Sequence, residues 1–344
     1  MQPGVTGEHV DAVVARVREA GGEAFVSRGV SRTIIGLVGD VDQFRTLNLR
    51  AMPGVADVFA VSSPYKLVGI DNHISRSTVI VGGASGVPIG PDTFTLIAGP
   101  CAIESRGQML EAAEMAKAAG ATLLRGGAFK PRTSPSSFQG LGEAGLRILA
   151  EARAETGLPV VTEVLDAHDV EMVASYADML QVGARNMQNF ALLQAVGKAE
   201  RPVLLKRGIQ ATIDEWLNAA EYIAQRGNLD IVLCERGIRT FETATRNTLD
   251  VAAVPVVQAK SHLPVVIDPS HSGGSRELVL PLSRAAIGVG ADGLLVDIHP
   301  APEEALVDGA QALSGNDLRE LASAVRRIPP LLGRKPAEPL IAAA

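Results

Sequence analysis

Aromatic side chains are scarce in this 344-residue chain: Phe, Trp and Tyr together make up 3%. Val, Ile, Leu and Ala must therefore fill whatever core it has, and a hydrophobic content of 47% is enough for a large one. Cysteine is nearly absent. Cys101 and Cys234 cannot build a disulfide framework, so each thiol needs its own explanation. No apolar run approaches the roughly 20 residues of a membrane span. No charged-then-apolar leader with a cleavage site opens the chain, and a soluble, cytoplasmic protein is expected. Positive charge is in deficit, with 32 Lys and Arg against 38 Asp and Glu and a formal net charge of -6. That balance disfavours nonspecific binding to nucleic acid or an acidic membrane.

Against these absences stand eight short apolar runs, each ending in chemistry. They are TFTLIAGPC with Cys101, ATLLRGGAFKPR with Arg125, Lys130 and Arg132, PVVTE with Glu163, MLQVGAR with Arg185, PVLLKR with Lys206, IVLCER with Arg236, PVVIDPSH with Asp268 and His271, and GLLVDIH with Asp297 and His299. Polar groups at the C-terminal ends of successive buried strands are the arrangement of a (β/α)8 barrel, which needs about 250 residues. Amphipathic stretches such as GQMLEAAEMAKAAG and DEWLNAAEYIAQRG lie between the runs, as β/α alternation requires. The expected fold is α/β, a barrel over residues 78–330 opened by a hairpin, STVIVGGASGVPIG, that plugs its N-terminal end. In front, residues 1–68 read as α-β-β-α-β: a helix after Thr6 with Val10, Val13, Val14 and Val17 on one face, runs EAFVS and TIIGLVG, a helix after Asp40, and a strand VADVFAV. This is a ferredoxin-like α+β unit lacking its first strand, suited to regulation or assembly. Residues 69–77 read as a polar linker, and 331–344 as a loosely held tail.

Cys101, His271, Asp297 and Asp308 form a mixed thiolate, imidazole and carboxylate set, suited to Mn, Fe, Co or Zn and poor for Ca or Mg. Each also has a plain structural reading: Cys101 as a small buried hydrophobe, His271 as a helix cap, Asp308 as a solvated helix residue. Cys234 lies inside a strand run and reads as core. His9, His73, His168 and His262 have no companions and read as surface or satisfied-core residues. His299, two along a strand from Asp297, shares its face and reads as a neighbour of a ligand. The strand ends also gather Arg125, Lys130, Arg132, Arg185, Lys206, Arg207, Arg236 and Arg239, several followed by Gly. Such a cluster on an acidic protein suits small anions, Arg binding carboxylate or phosphate bidentately and Lys acting as a compact charge or proton donor.

AGPCAIES, LRGGAFKPRTSPSSFQGLG, GARNMQNF, LLKRG, LCERGIRTFE, IDPSHSGG and the HP-x-PE-x-AL-x-DG segment together resemble type I-beta 3-deoxy-D-arabino-heptulosonate 7-phosphate (DAHP) synthases, and SRTIIGLVGD and PYKLV extend the likeness to the front unit. The resemblance implies a metal-dependent condensation of phosphoenolpyruvate with erythrose 4-phosphate, opening the shikimate pathway. It implies metal ligation by Cys101, His271, Asp297 and Asp308, with Cys101, His271 and Lys130 in the catalytic centre. Phosphoenolpyruvate would be held by Arg125, Lys130, Arg185, Lys206 and Arg236, and the aldose phosphate addressed by Arg132, Thr133 and Asp268. It further implies a homotetramer and inhibition by tyrosine or phenylalanine. The family usually carries Glu where this chain has Asp297. Two other readings compete: the sister synthase that uses arabinose 5-phosphate, whose lysine segment resembles KANRS rather than KPRTS, and a catalytically silent barrel that senses phosphorylated metabolites.

Overall fold

A computed structural model describes residues 1–340 apart from 30–31, 60–64, 84–85, 132–133 and 135. The chain opens with helix α1 (Gly7–Glu19), whose buried face is Val10, Val13 and Val17. Thr6 occupies the N-cap position of α1, but its side chain makes no capping bond there. Strands β1 (Glu23–Arg28) and β2 (Thr33–Val38) pair antiparallel, and helix α2 (Val41–Thr46) follows, capped by Asp40, whose side chain accepts from the backbone N–H groups of Asp42 and Gln43. The expected third strand, VADVFAV, is not formed over residues 55–59, and its last two residues lie outside the described residues. The front sheet therefore has two strands among the described residues. Phe25, Val26 and Val38 remain exposed on it.

The expected linker is tied to the barrel at Gly69, His73, Arg76 and Ser77, and the residues just before it are bound as well. Glu221 accepts from the backbone N–H groups of Leu67 (2.8 Å) and Val68 (3.2 Å), Tyr65 donates its hydroxyl to Asp214 (2.9 Å), and His262 contacts the Leu67 carbonyl at 2.9 Å. Tyr65 and Val68 pack in the barrel core, so attachment to the barrel begins before residue 78.

A hairpin of β3 (Val79–Val81) and β4 (Val87–Ile89) precedes the barrel. Its strands are β5 (Thr93–Gly99), β6 (Leu123–Arg125), β7 (Val160–Val164), β8 (Met179–Val182), β9 (Val203–Lys206), β10 (Ile231–Glu235), β11 (Val265–Ile267) and β12 (Gly293–Asp297), all parallel, with β12 pairing back to β5. The alternating helices are α3 (Arg106–Ala118), α4 (Glu143–Thr156), α5 (Val170–Tyr176), α6 (Phe190–Val196), α7 (Ile213–Ala224), α8 (Ala253–Lys260), α9 (Pro269–Gly273), α10 (Arg276–Gly288) and α11 (Gly315–Leu331). Inward residues of the strands, Ile97, Leu123, Val161, Met179, Leu204, Val232, Val266 and Leu295, form one cluster with Val79, Val81, Val87 and Ile89 of the hairpin. The hairpin thus closes the end of the barrel opposite the strand termini that carry charge. Cys234 belongs to this cluster, and burial pushes its thiol pKa well up, as a core residue requires.

The C-terminal segment is tied down rather than loose. Strand β13 (Lys335–Pro336) pairs with the start of β5, Ala337 is buried, and the Leu340 N–H donates to the Gly86 carbonyl at 3.0 Å. Asp292, fully buried, receives Arg334 from this segment (2.7 Å) and Arg76 from the linker. No helix among the described residues is long and apolar enough to cross a membrane.

Candidate active site

Cys101 lies two residues past the end of β5, and its Sγ lies 3.1 Å from Asp308 Oδ2, 3.1 Å from Lys130 Nζ and 3.8 Å from His271 Nε2. Asp308 Oδ2 is 3.6 Å from His271 Nε2. Metal-ligand bonds of 2.0–2.3 Å put neighbouring ligand atoms roughly 3–4 Å apart, so these three atoms have the spacing of ligands around one ion. Asp297, at the end of β12, completes a group whose ligating atoms all lie within 4.8 Å of one another. Its oxygens are already engaged, Oδ1 by Arg125 Nη1 at 2.7 Å and Oδ2 by Gln311 Nε2 at 2.6 Å. The soft thiolate, the imidazole and two hard carboxylates fit a transition metal or zinc.

Charge follows burial here. Burial, the largest single influence, would raise the Cys101 thiol, yet Lys130, the contact with His271 and Arg125 together outweigh it and the net shift is downward, toward the thiolate that binds metal. Burial opposes the charged form of His271 too, but Asp268 and Asp297 beside it raise its pKa to about 10. Asp268 Oδ2 lies 2.8 Å from His271 Nδ1, in a charge contact too oblique for an aligned hydrogen bond. Asp308 holds a left-handed backbone, φ 55°, a conformation that costs a non-glycine residue about 1–2 kcal/mol and is kept where its surroundings impose it.

Beside the cluster opens a cavity of about 340 Å³ lined by Arg125, Lys130, Glu163, Gln181, Arg185, Lys206, Arg236, Arg246, His271 and Asp308, and also by Ser134 and Ser137. Two glycines permit the close approach. A Cβ on Gly127 would stand 2.7 Å from the Cys101 carbonyl oxygen and 3.0 Å from Lys130 Cδ, and one on Gly183 would stand 1.9 Å from Glu163 Oε1. Lys130 folds back over Gly127, donating to the Cys101 carbonyl at 3.0 Å. Arg236 Nη1 and Arg125 Nε are buried without hydrogen-bond partners among the described residues. An unpaired buried guanidinium nitrogen is costly, and a bound anion would satisfy it.

The cavity gathers Arg125, Lys130, Arg185, Lys206 and Arg236 as the strand ends foretell. Arg132 and Thr133 lie outside the described residues. Arg207 does not join: its guanidinium pairs with Glu235 (3.0 Å) and Asp250 (2.8 Å) and lies over Trp216, so it stabilises the wall behind. Arg239 is likewise not on the lining. Asp268 is fully buried, with Lys206 Nζ at 2.6 Å and the His271 N–H at 2.9 Å. It stands behind the two residues that face the cavity rather than in it. His299 is not in the ligand group; its Nδ1 accepts from the Ala301 N–H at 3.1 Å and its Nε2 lies 3.5 Å from Glu104. Sequence reasoning gave Glu163 no role beyond ending its run and left out Gln181, Arg246 and Gln311. Gln181 was accessible, since it lies next to last in its strand and pairs in register with Glu163.

The sequence profile of the DAHP synthetase I family matches residues 72–332, and that of the DAHP synthase ferredoxin-like domain matches residues 1–63. A phospho-2-dehydro-3-deoxyheptonate aldolase of Thermotoga maritima is 49% identical over 340 residues, 97% of this chain and 98% of the relative. A 2-dehydro-3-deoxyphosphooctonate aldolase of Syntrophotalea carbinolica is 37% identical over 242 residues, 65% of this chain and 86% of its own. The crystal structure of the Thermotoga maritima DAHP synthase matches with a TM-score of 0.77 at 49% identity, covering 97% of each chain. A truncated form of that organism's enzyme matches with a TM-score of 0.73 at 50% identity, over 79% of this chain and 98% of its own. With the profile spanning the whole barrel and the front unit matched by its own, this chain belongs to the DAHP synthetase I family.

Proposed function

We propose a division of labour among the residues of this cavity for the reaction of the family, the condensation of phosphoenolpyruvate with erythrose 4-phosphate to DAHP and phosphate, the first step of the shikimate pathway. The observation that carries it is a cavity lined by His271 and Asp308 of the Cys-His-Asp-Asp cluster together with Arg125, Lys130, Arg185, Lys206, Arg236 and Arg246, of which Arg125 and Arg236 hold buried nitrogens without partners among the described residues. Arg125, Arg185, Lys206 and Arg236 hold the phosphate and carboxylate of phosphoenolpyruvate. Arg132 and Thr133 address the phosphate of the aldose. Asp268 acts through its neighbours, keeping Lys206 and His271 in place. Cys101, His271, Asp308 and Asp297 hold a divalent ion, Mn, Fe, Co or Zn, which when bound polarises the aldehyde carbonyl as a Lewis acid.

C3 of phosphoenolpyruvate attacks the aldehyde carbon. Lys130, its Nζ within hydrogen-bond reach of both Cys101 Sγ and the Cys101 carbonyl, delivers a proton to the aldehyde oxygen. Water adds at C2, giving up a proton to solvent, and the resulting hemiketal expels phosphate by C2–O cleavage to leave the C2 ketone of DAHP. Fixed cations hold two mutually repelling anions close together, so positioning and preorganised charge supply much of the rate. By resemblance the assembly is a homotetramer, and the front unit transmits inhibition by tyrosine or phenylalanine.

A coupled assay of phosphate release with each aldose phosphate tests the assignment. Turnover is expected with erythrose 4-phosphate; equal or better turnover with arabinose 5-phosphate would overturn it in favour of the sister synthase. No turnover with either would favour the silent barrel.

A further inference from the structure

We infer that Gln311 is a positioning residue for the metal cluster, fixing its two carboxylates, Asp297 and Asp308, relative to one another; the inference rests on the metal reading of that cluster. Gln311 is 1% exposed and closes the 3₁₀ turn Gly309–Gln311 that follows Asp308. Its Nε2 donates to Asp297 Oδ2 at 2.6 Å, and its Oε1 accepts from Arg246 Nη1 at 2.9 Å. A carboxylate only accepts and a guanidinium only donates, so the orientation of the amide follows from its partners. Arg246 Nη1 also donates to Asp308 Oδ1 at 3.1 Å. One chain of contacts, Asp297 to Gln311 to Arg246 to Asp308, therefore joins the two carboxylates of the cluster.

The same chain reaches the third ligand segment. The Arg246 N–H donates to the Gly273 carbonyl at 3.2 Å, the Asn247 N–H to the Ser272 carbonyl at 2.8 Å, and Asn247 Nδ2 to the His271 carbonyl at 3.3 Å. The segment bearing Arg246 is thus stitched to α9, which carries His271. Asp297 ends a strand, whereas Asp308 sits in a loop with left-handed backbone, and nothing intrinsic to such a loop sets the distance between their carboxylates. The amide supplies that link because it can donate to one charged partner while accepting from the other. Glu in its place would set a second negative charge against Asp297, and Leu would leave Asp297 and Arg246 each without this partner.

Cobalt(II) alone, titrated into metal-free full-length protein and followed by its thiolate charge-transfer and d–d absorption, tests the inference. Groups that orient metal-binding side chains typically change metal affinity 10–100-fold. Gln311→Leu is expected to weaken cobalt binding roughly within that range, with an altered d–d spectrum. Arg246→Met, at a side chain 40% exposed, is expected to shift affinity in the same direction without loss of the metal-free fold. An unchanged dissociation constant and spectrum in Gln311→Leu overturns the inference; should that variant not fold, the same result in Arg246→Met does so. Failure of the wild-type chain to bind cobalt would overturn the metal reading itself, and that titration distinguishes the two failures.

Discussion

Lys130 and Cys101 stand 3.1 Å apart, but the roles proposed for them separate under mutation. Cys101→Ala removes a metal ligand, so bound metal and turnover should fall together. Lys130→Met removes a proton donor and leaves the four ligands, so metal content should persist while turnover drops roughly 10²–10⁴-fold, the range for loss of a general acid. Metal analysis alongside phosphate release reads both, and undiminished turnover in Lys130→Met would eliminate it as the donor. The cations of the cavity were legible in the sequence because a barrel strand end fixes where a side chain points. Arg207 shows the limit of that rule: it too ends a strand, yet Glu235 and Asp250, distant in sequence, draw it into the wall. Gln311 carried no signal, since an amide becomes meaningful only when both charged partners are in view.

Among the elements, the segment from Tyr65 to Ser77 departs most from its sequence reading. A polar stretch with Gly and Asp reads as a linker because its partners, Glu221, Ser261, His262 and Asp292, all lie far along the chain. His262 is the hub: Nδ1 meets the Ser77 hydroxyl at 2.7 Å, Nε2 meets the Leu67 carbonyl, and its ring stacks on His73 at 3.5 Å between centroids. Burial, with His73 adding to it, lowers the His262 pKa from 6.5 to about 4. The unfolded chain therefore takes up this proton first as the pH falls. The stability associated with the neutral ring is complete above pH 6.5 and is lost progressively as the pH drops toward 4, by on the order of 3 kcal/mol. Urea unfolding at pH 7.5, 5.5 and 4.5 should show His262→Gln with a shallower dependence than wild type; parallel curves would contradict it. The lack of strand over residues 55–59 of the front unit has a similar origin to the misread linker. VADVFAV alternates well enough for a strand, but local pattern does not supply an edge on which to pair.

For the molecule as a whole, every proposed catalytic group lies after residue 100, and the front unit is joined through a docked segment. A chain beginning at Tyr65 should keep synthase activity and lose any inhibition that tyrosine or phenylalanine exerts on the full chain. One beginning at Ser77 forfeits the buried Tyr65 and Val68 together with Arg76, and should be active but unfold at lower temperature. Inhibition titrations on the full chain and both truncations check this: identical inhibition curves would remove the regulatory role, and a dead Tyr65 chain would show that the front unit is structurally required.

The pairing of β5 also bears on how the barrel is made. Its residues Thr95–Gly99 pair with β12, and Thr93 and Phe94 with β13, partners that lie near the far end of the sequence. During synthesis the first barrel strand emerges long before either partner exists, leaving an unpaired parallel edge and a half-built apolar interior open to nonproductive contacts. Closure must wait until β12 and β13 have been released, and Asp292 then receives Arg76 from before the barrel and Arg334 from after it. A chain cut before Arg334 would hold all eight barrel strands yet lack β13 and one of the two guanidinium groups on Asp292, and would be the form most open to nonproductive association.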